Sequence, residues 1–223
     1  RPPMKFIPMS DPLYDYLVKH GHNGDPVLAE LAQETGQLGP IAMMQIAPEQ
    51  GTLMQILVRA IGAKSAVEIG TFTGYSALSV ARGLGPDGRL LCCDISEEWT
   101  AIARKYWDKA GVADRIELRL APALETLAAL PKEHVFDFAF IDADKVSYRK
   151  YYDALLPRMR ANGLIVFDNV LWMGQVLDTQ TPSDDTKALQ ALNDFIARDE
   201  RVQAVMLSVS DGLSIVRKRA PGE

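Results

Sequence analysis

Between Ser65 and Phe167, short hydrophobic runs alternate with amphipathic stretches, and that alternation narrows the possible folds more than any other feature. Runs at 65–69, 89–93, 115–118, 135–141 and 163–167 read as strands. Helical patterns separate them at 76–82, 97–110, 123–130 and 146–159, the second with Trp99, Ile102, Ala103, Tyr106 and Ala110 on one stripe. The run from Val135 to Ile141 is almost unbroken, as a parallel strand covered on both faces should be. Gly85-Pro86-Asp87-Gly88 marks a turn before the second strand.

Past the fifth run the pattern changes to a long loop, a helix over 185–198, and strands at 202–207 and 213–216 around Asp211-Gly212. Two strands joined so tightly should be antiparallel. Ahead of the alternation lie short helices at 11–20 and 25–35, then one opened by Pro48 with Leu53, Ile56, Leu57 and Ala60 on a common face. The pattern predicts a doubly wound α/β sandwich of three layers ending in a hairpin. A (β/α)8 barrel needs more than the 223 residues present. That length suits one well-buried domain over 1–223, with 1–48 as an N-terminal helical segment.

Net charge is -5 with both signs interspersed, which disfavours nucleic acid, whose phosphates call for clustered Lys and Arg. No stretch approaches the roughly 20 apolar residues of a membrane span, and Arg1 to Ser10 lack the apolar core of an export signal. Cys92 and Cys93 adjoin in a strand and should face opposite ways, excluding a disulfide framework. Histidines at 20, 22 and 134 are too scattered for a histidine-rich zinc site. A reducing, cytoplasmic setting is the simplest fit.

Open α/β sheets bind ligands at the carboxyl ends of their strands, and the polar residues of this chain gather there. Glu68 comes near the end of the first strand, before Gly70-Thr71-Phe72-Thr73-Gly74 and a helix beginning near Ser76. Glycine there allows close backbone approach, and the helix start offers unpaired N–H donors. The spacing is neither GxGxxG nor a Walker turn, so a diphosphate is not expected. Asp94 ends the next strand, where a carboxylate can accept both ribose hydroxyl hydrogens. Glu68 would repel a phosphate and favour a cation. S-adenosylmethionine, an adenosine bearing a sulfonium and an ammonium, answers that description. Either acidic residue alone could equally be a helix cap or a solvated strand end.

Asp142 and Asp168 end the fourth and fifth strands, which as neighbours would stand about 4.8 Å apart. With Asn169 they form an all-oxygen set suited to Mg²⁺, Ca²⁺ or Mn²⁺, leaving positions for two substrate oxygens. Lys145 is the candidate base, if burial and the cation ease its deprotonation. Its bland alternative is a surface lysine paired with Asp144. Trp172 could place a ring against the metal or simply anchor its loop, and Tyr148 and Tyr152 could line the pocket or only pack beside it.

These motifs together resemble the cation-dependent class I O-methyltransferases of the caffeoyl-CoA and catechol type, particularly their bacterial small-molecule branch. The resemblance rests on Met44-Gln45-Ile46, Pro48-Glu49-Gln50-Gly51, Glu68 to Ser76, Asp142-Ala143-Asp144-Lys145, Asp168 to Gly174, and Asp211-Gly212-Leu213. It implies a Rossmann-like methyltransferase fold with a mostly parallel seven-stranded sheet. It further implies metal ligation by Asp142, Asp168 and Asn169, Lys145 as general base, and Asp94 on the ribose of S-adenosylmethionine. Glu68, Gly70, Phe72, Ser76 and backbone near Met43 would line its methionine part, Ala123 its adenine, and Asp142 would approach its amino group. Lys145, Asn169 and Trp172 would face a small aromatic diol, and a homodimer is implied.

Leu120-Ala121-Pro122-Ala123 lacks a glycine often found there, and Met173 replaces a small or polar residue. The N-terminal segment has too few positive charges for a coenzyme A clamp, favouring a free catechol over a caffeoyl-CoA-like thioester. The rivals are a nicotinamide oxidoreductase, a metal-independent methyltransferase and a non-catalytic S-adenosylmethionine-binding protein.

Overall fold

The computed structural model describes residues 7–21 and 24–223; Arg1 to Phe6, and His22 with Asn23, lie outside the described residues. Five strands, β1 (Ser65–Ile69), β2 (Arg89–Asp94), β3 (Ile116–Leu120), β4 (Phe136–Ile141) and β5 (Met159–Phe167), run parallel. A hairpin of β6 (Val202–Leu207) and β7 (Leu213–Lys218) completes a seven-stranded sheet in the order β3-β2-β1-β4-β5-β7-β6. In it β7 lies antiparallel between β5 and β6. The helices are α1 (Asp11–Gly21), α2 (Pro26–Gly36), α3 (Pro48–Ala60), α4 (Tyr75–Gly83), α5 (Glu97–Lys109), α6 (Ala123–Ala129), α7 (Tyr148–Leu155) and α8 (Asp184–Ile196). The expected α/β architecture and hairpin are as the sequence predicts. No helix among the described residues is long and apolar enough to cross a membrane.

Side chains of a strand alternate between faces, and here both faces are covered. Val67, Ile69, Leu91, Cys93, Ala139, Ile141, Ile165 and Phe167 pack with α6, α7 and α8. Ala66, Leu90, Cys92, Phe138, Phe140, Leu164 and Val166 pack with α2, α3, α4 and α5. The two cysteines are buried and free, one in each cluster, as their adjacency requires. At the amino end of the sheet the Asp137 carboxylate accepts from the Lys64 and Ser65 amides and from Arg160 Nε at 2.6, 2.9 and 2.6 Å, tying β1, β4 and β5 together.

Four expectations need correction. The buried face of α3 carries Gln50, Gly51, Met54 and Val58; Leu53 and Leu57 are partly buried, while Ile56 and Ala60 are exposed. Apolar residues nearly encircle this helix, so periodicity could not choose its face. Its close approach to α4 does: a Cβ on Gly51 would lie 2.7 Å from Ser79 Oγ. On α5, Thr100 and Trp107 are buried, whereas Trp99, Ile102 and Ala110 are only partly so. The helix expected over 146–159 is α-helical only from Tyr148 to Leu155, with 3₁₀ turns at Lys145–Ser147 and Leu156–Arg158. Pro157 lacks an amide donor and ends the α-helix, and β5 begins at Met159 rather than Gly163, through a register irregularity against β4.

Met54 is fully buried and Ile56 is 56% exposed. Met54→Ala should therefore cost about 2–5 kcal/mol and Ile56→Ala under about 0.5 kcal/mol in denaturant unfolding.

Candidate active site

The hydrogen-bond ladder continues past the strand ends. The Gly70 amide donates to Cys93 O at 2.9 Å, Asp142 to Ile69 O at 2.9 Å, and Asp168 to Ile141 O at 3.0 Å. Gly70, Asp142 and Asp168 thus form one row at the carboxyl edge. Gly70 sits at φ +87, and a Cβ there would lie 1.9 Å from the Asp142 carbonyl oxygen, so only glycine fits.

Lys145 is buried, 6% exposed. Its Nζ donates to Tyr148 Oη at 2.7 Å, Asn169 Oδ1 at 2.8 Å and Asp142 Oδ1 at 3.1 Å. The Tyr148 and Trp172 rings flank it, with centroids at 4.7 and 5.6 Å. The surface-lysine alternative therefore fails, and Asp144 instead accepts from Tyr151 Oη at 2.6 Å. Tyr148 joins the cluster, donating to Asp168 O at 3.1 Å; Tyr152 does not, its hydroxyl donating to Asp199 at 2.8 Å.

Asp168 is buried and accepts from Gln50 Nε2 at 2.7 Å and from the Asn169 amide at 2.6 Å. Burial, reinforced by the Asp142 charge, pushes its carboxyl up to about 7. Burial also raises Asp142, with Lys145 pulling it back. Two carboxylates that burial disfavours and an amide oxygen around a buried ammonium are a donor set that fits a hard divalent cation. Among the described residues no three His, Cys, Asp or Glu side chains gather as a cation site; this set has two carboxylates and an amide.

At the other end, Asp94 Oδ2 accepts from the Thr71 and Phe72 amides at 2.8 and 2.9 Å, and Oδ1 from Ile95 and Ser96 at 2.7 and 2.8 Å. Asp94 thus shapes the glycine loop, with both carboxylate oxygens bonded to backbone amides. Phe72, at φ 51, sets its ring edge-on to Trp99 at 5.1 Å. Ser76 is buried in the first turn of α4, and Ala123 opens α6 from within the core. Met43 stands 82% exposed on a 3₁₀ turn, Gly39–Met44. Glu68 is fully buried, and its Oε2 has no hydrogen-bond partner among the described residues. Burial pushes its carboxyl up to about 8.

Gln50 and Asp211 were not singled out as site residues from the sequence, although both lie in motifs that carry the family resemblance. Gln50 reaches Asp168 across 118 positions of chain, and Asp211 Oδ2 accepts from Asn169 Nδ2 at 3.2 Å. Their motif membership was the available signal; a partner so distant in sequence leaves no periodicity to read.

Glu68 binds its proton more tightly folded, near 8, than at its ordinary 4.5. The ligand-free protein should therefore lose stability as pH rises from about 4.5 to about 8. Thermal unfolding across that range should show a flatter profile for Glu68→Gln than for the parent; equal slopes would remove Glu68 as the source.

A family model described as O-methyltransferase matches residues 19–219. The chain is 37% identical over 216 residues to "probable caffeoyl-CoA O-methyltransferase 1" of Dictyostelium discoideum, covering 95% of this chain and 94% of that one. It is 37% identical over 214 residues to catechol O-methyltransferase domain-containing protein 1 of Mus musculus, covering 95% and 81%. An O-methyltransferase from Bacillus cereus, solved in complex with SAH, superposes with a TM-score of 0.84 at 32% identity, covering 92% and 96%. The chain belongs to the O-methyltransferase family and is an S-adenosylmethionine-dependent O-methyltransferase.

Proposed function

We propose that this chain methylates one hydroxyl of a catechol-like, vicinal dihydroxy aromatic with the help of a divalent cation. The observation that carries this reading is the meeting of Asp142 and Asn169 oxygens, from two adjacent parallel strands, on the buried Lys145 ammonium beside Asp168. Asp142, Asp168 and Asn169 would hold the cation, Mg²⁺ or another hard ion such as Ca²⁺ or Mn²⁺. When bound, it would supply Lewis acidity that eases ionisation of the two neighbouring hydroxyls.

The residues of the chain do the remaining work. Lys145 Nζ, once its ammonium has given a proton to solvent and let go of Asp142 and Asn169, takes the proton of the reacting hydroxyl, while Tyr148 keeps the amine in place. Trp172 closes one side of the acceptor site and helps exclude water. Glu68, Gly70, Phe72, Ser76, Asp94, Ala123, Asp142 and backbone near Met43 hold S-adenosylmethionine. The unpartnered Glu68 Oε2 suits a cationic donor, whose charge would favour the ionised carboxylate over the proton that burial holds there. The acceptor oxygen attacks the methyl carbon as the carbon–sulfur bond breaks, and the sulfur keeps the electron pair. Phenolate and sulfonium charges cancel, so alignment and exclusion of water are the main tasks.

In the same reading residues 1–223 act as one domain, with 1–48 shaping the acceptor pocket. The chain works as a homodimer in a reducing, cytoplasmic setting, where its two buried thiols stay free. The names of the relatives also favour a caffeoyl-CoA-like thioester as acceptor, and both acceptor types belong in the test.

A catechol panel and a caffeoyl thioester, assayed with S-adenosylmethionine with and without Mg²⁺, should give methylated catechols only with metal. Undiminished turnover in EDTA would reject the cation. Lys145→Ala should lower kcat by about 10²–10⁴-fold while leaving donor affinity nearly unchanged. Asp168→Ala should abolish the response to Mg²⁺, read as product mass against metal concentration.

A further inference from the structure

Asn169 sits at φ 56, and the loop after it holds Trp172 at φ 50, Met173 at φ 51 and Gly174 at φ 82. Left-handed backbone at three non-glycine residues so close together is costly and persists only where surrounding contacts impose it. Those contacts come from the turn of the β6–β7 hairpin. The Leu171 amide donates to Asp211 O at 3.0 Å and the Val170 amide to Gly212 O at 3.2 Å. Gly212, at φ +90, lies against Leu171, where a Cβ would meet Leu171 Cγ at 2.5 Å. The Asp211 side chain makes two further bonds: Oδ1 accepts from the Met173 amide at 2.6 Å, and Oδ2 from Asn169 Nδ2 at 3.2 Å.

The last bond has a consequence for the site. The oxygen and NH₂ of an asparagine amide are nearly the same size, so shape alone does not decide which faces the cation site. Neighbours of opposite character decide it. The Lys145 ammonium can only donate, and it meets Asn169 Oδ1 at 2.8 Å. The Asp211 carboxylate can only accept, and it meets Nδ2. Turning the amide over would set NH₂ against ammonium and oxygen against carboxylate, losing both bonds.

We propose that Asp211 is a positioning residue that fixes the orientation of the Asn169 amide, so that oxygen and not nitrogen faces the cation site. This rests on the reading of Asn169 as a cation ligand. Asp211 serves two donors, Asn169 Nδ2 and the Met173 amide, and so needs two acceptor oxygens. Asparagine at 211 has only one, so Asp211→Asn gives up one of the bonds. Exchanging the two residue types restores the pattern with reversed polarity. In N169D/D211N, the new amide accepts from Met173 and donates to the new carboxylate, whose other oxygen faces Lys145. In N169D alone, two carboxylates oppose each other.

The test titrates Mn²⁺ into the parent, D211N, N169D and N169D/D211N, counting free ion by electron paramagnetic resonance. SAH affinity in each variant reports that the fold is intact. D211N should bind Mn²⁺ about 10–100-fold more weakly than the parent, the usual effect of removing a group that orients a ligand. In the N169D background, where a carboxylate offers oxygen whichever way it turns, D211N should cost far less Mn²⁺ affinity than it does in the parent. Parental Mn²⁺ affinity in D211N would overturn the proposal. So would an equal loss from D211N in the N169D background, since the effect would then be the charge of Asp211 and not the orientation of the amide.

The metal-free protein supplies a second readout in the ¹⁵N–¹H signals of the Asn169 side-chain amide. These should shift and lose protection from solvent exchange in D211N. A parent that binds no Mn²⁺ would defeat the cation reading. The amide signals would then judge Asp211 separately, with an unchanged, protected pair in D211N counting against it.

Discussion

Parallel pairing of β1, β4 and β5 puts chemistry-bearing residues side by side, because the ladder runs one residue beyond the strands. Asp142 is bonded to Ile69 and Asp168 to Ile141, so the two carboxylates leave adjacent strands at the same level. Neighbouring strands are about 4.8 Å apart, and side chains leaving them at equal height meet. The same ladder brings Gly70 against Cys93, with the glycine loop wrapped over Asp94. Both halves of the site therefore depend on one register. A slip of one residue would turn Asp142 and Asp168 toward opposite layers.

Bringing these groups together takes negative charge out of water, which is unfavourable without compensation. The chain compensates unevenly. Asp168 receives Gln50 and a backbone amide, Asp142 receives Lys145, and Asp94 receives four amides. Glu68 keeps one oxygen without a partner among the described residues, and Asp168 is held up to about 7. The shortfall lies at the two places where the proposed ligands bring positive charge, a sulfonium and ammonium at one end and a divalent ion at the other. Ligand binding then completes an electrostatic balance that folding leaves open.

The hairpin that closes the sheet also supports the site from outside. Asp211 and Gly212 hold the loop after Asn169 by backbone and side-chain bonds. Trp172 in that loop lies beside Lys145 and packs partly into the core shared with α7 and α8. A C-terminal element that carries none of the proposed ligands thus governs where two site residues stand.

Local pattern was enough to establish the alternation of strands and helices, the opposite faces of Cys92 and Cys93, and the placing of Glu68, Asp94, Asp142 and Asp168 at or near strand ends. Each follows from a period or a boundary that a few consecutive residues display. Pattern was not enough where several answers shared one periodicity or where Pro and Gly masked an irregular strand, as in the face of α3 and the start of β5. Nor could it show that Lys145 is buried between Asp142 and Asn169, that Gln50 reaches Asp168, or that Asp211 orients Asn169. Those contacts join elements far apart in the chain, and distance in sequence carries no trace of distance in space. Sequence determined which residues arrive at the carboxyl edge of the sheet; tertiary packing decided which of them touch, because only strand register and helix rotation set side chains within hydrogen-bonding reach.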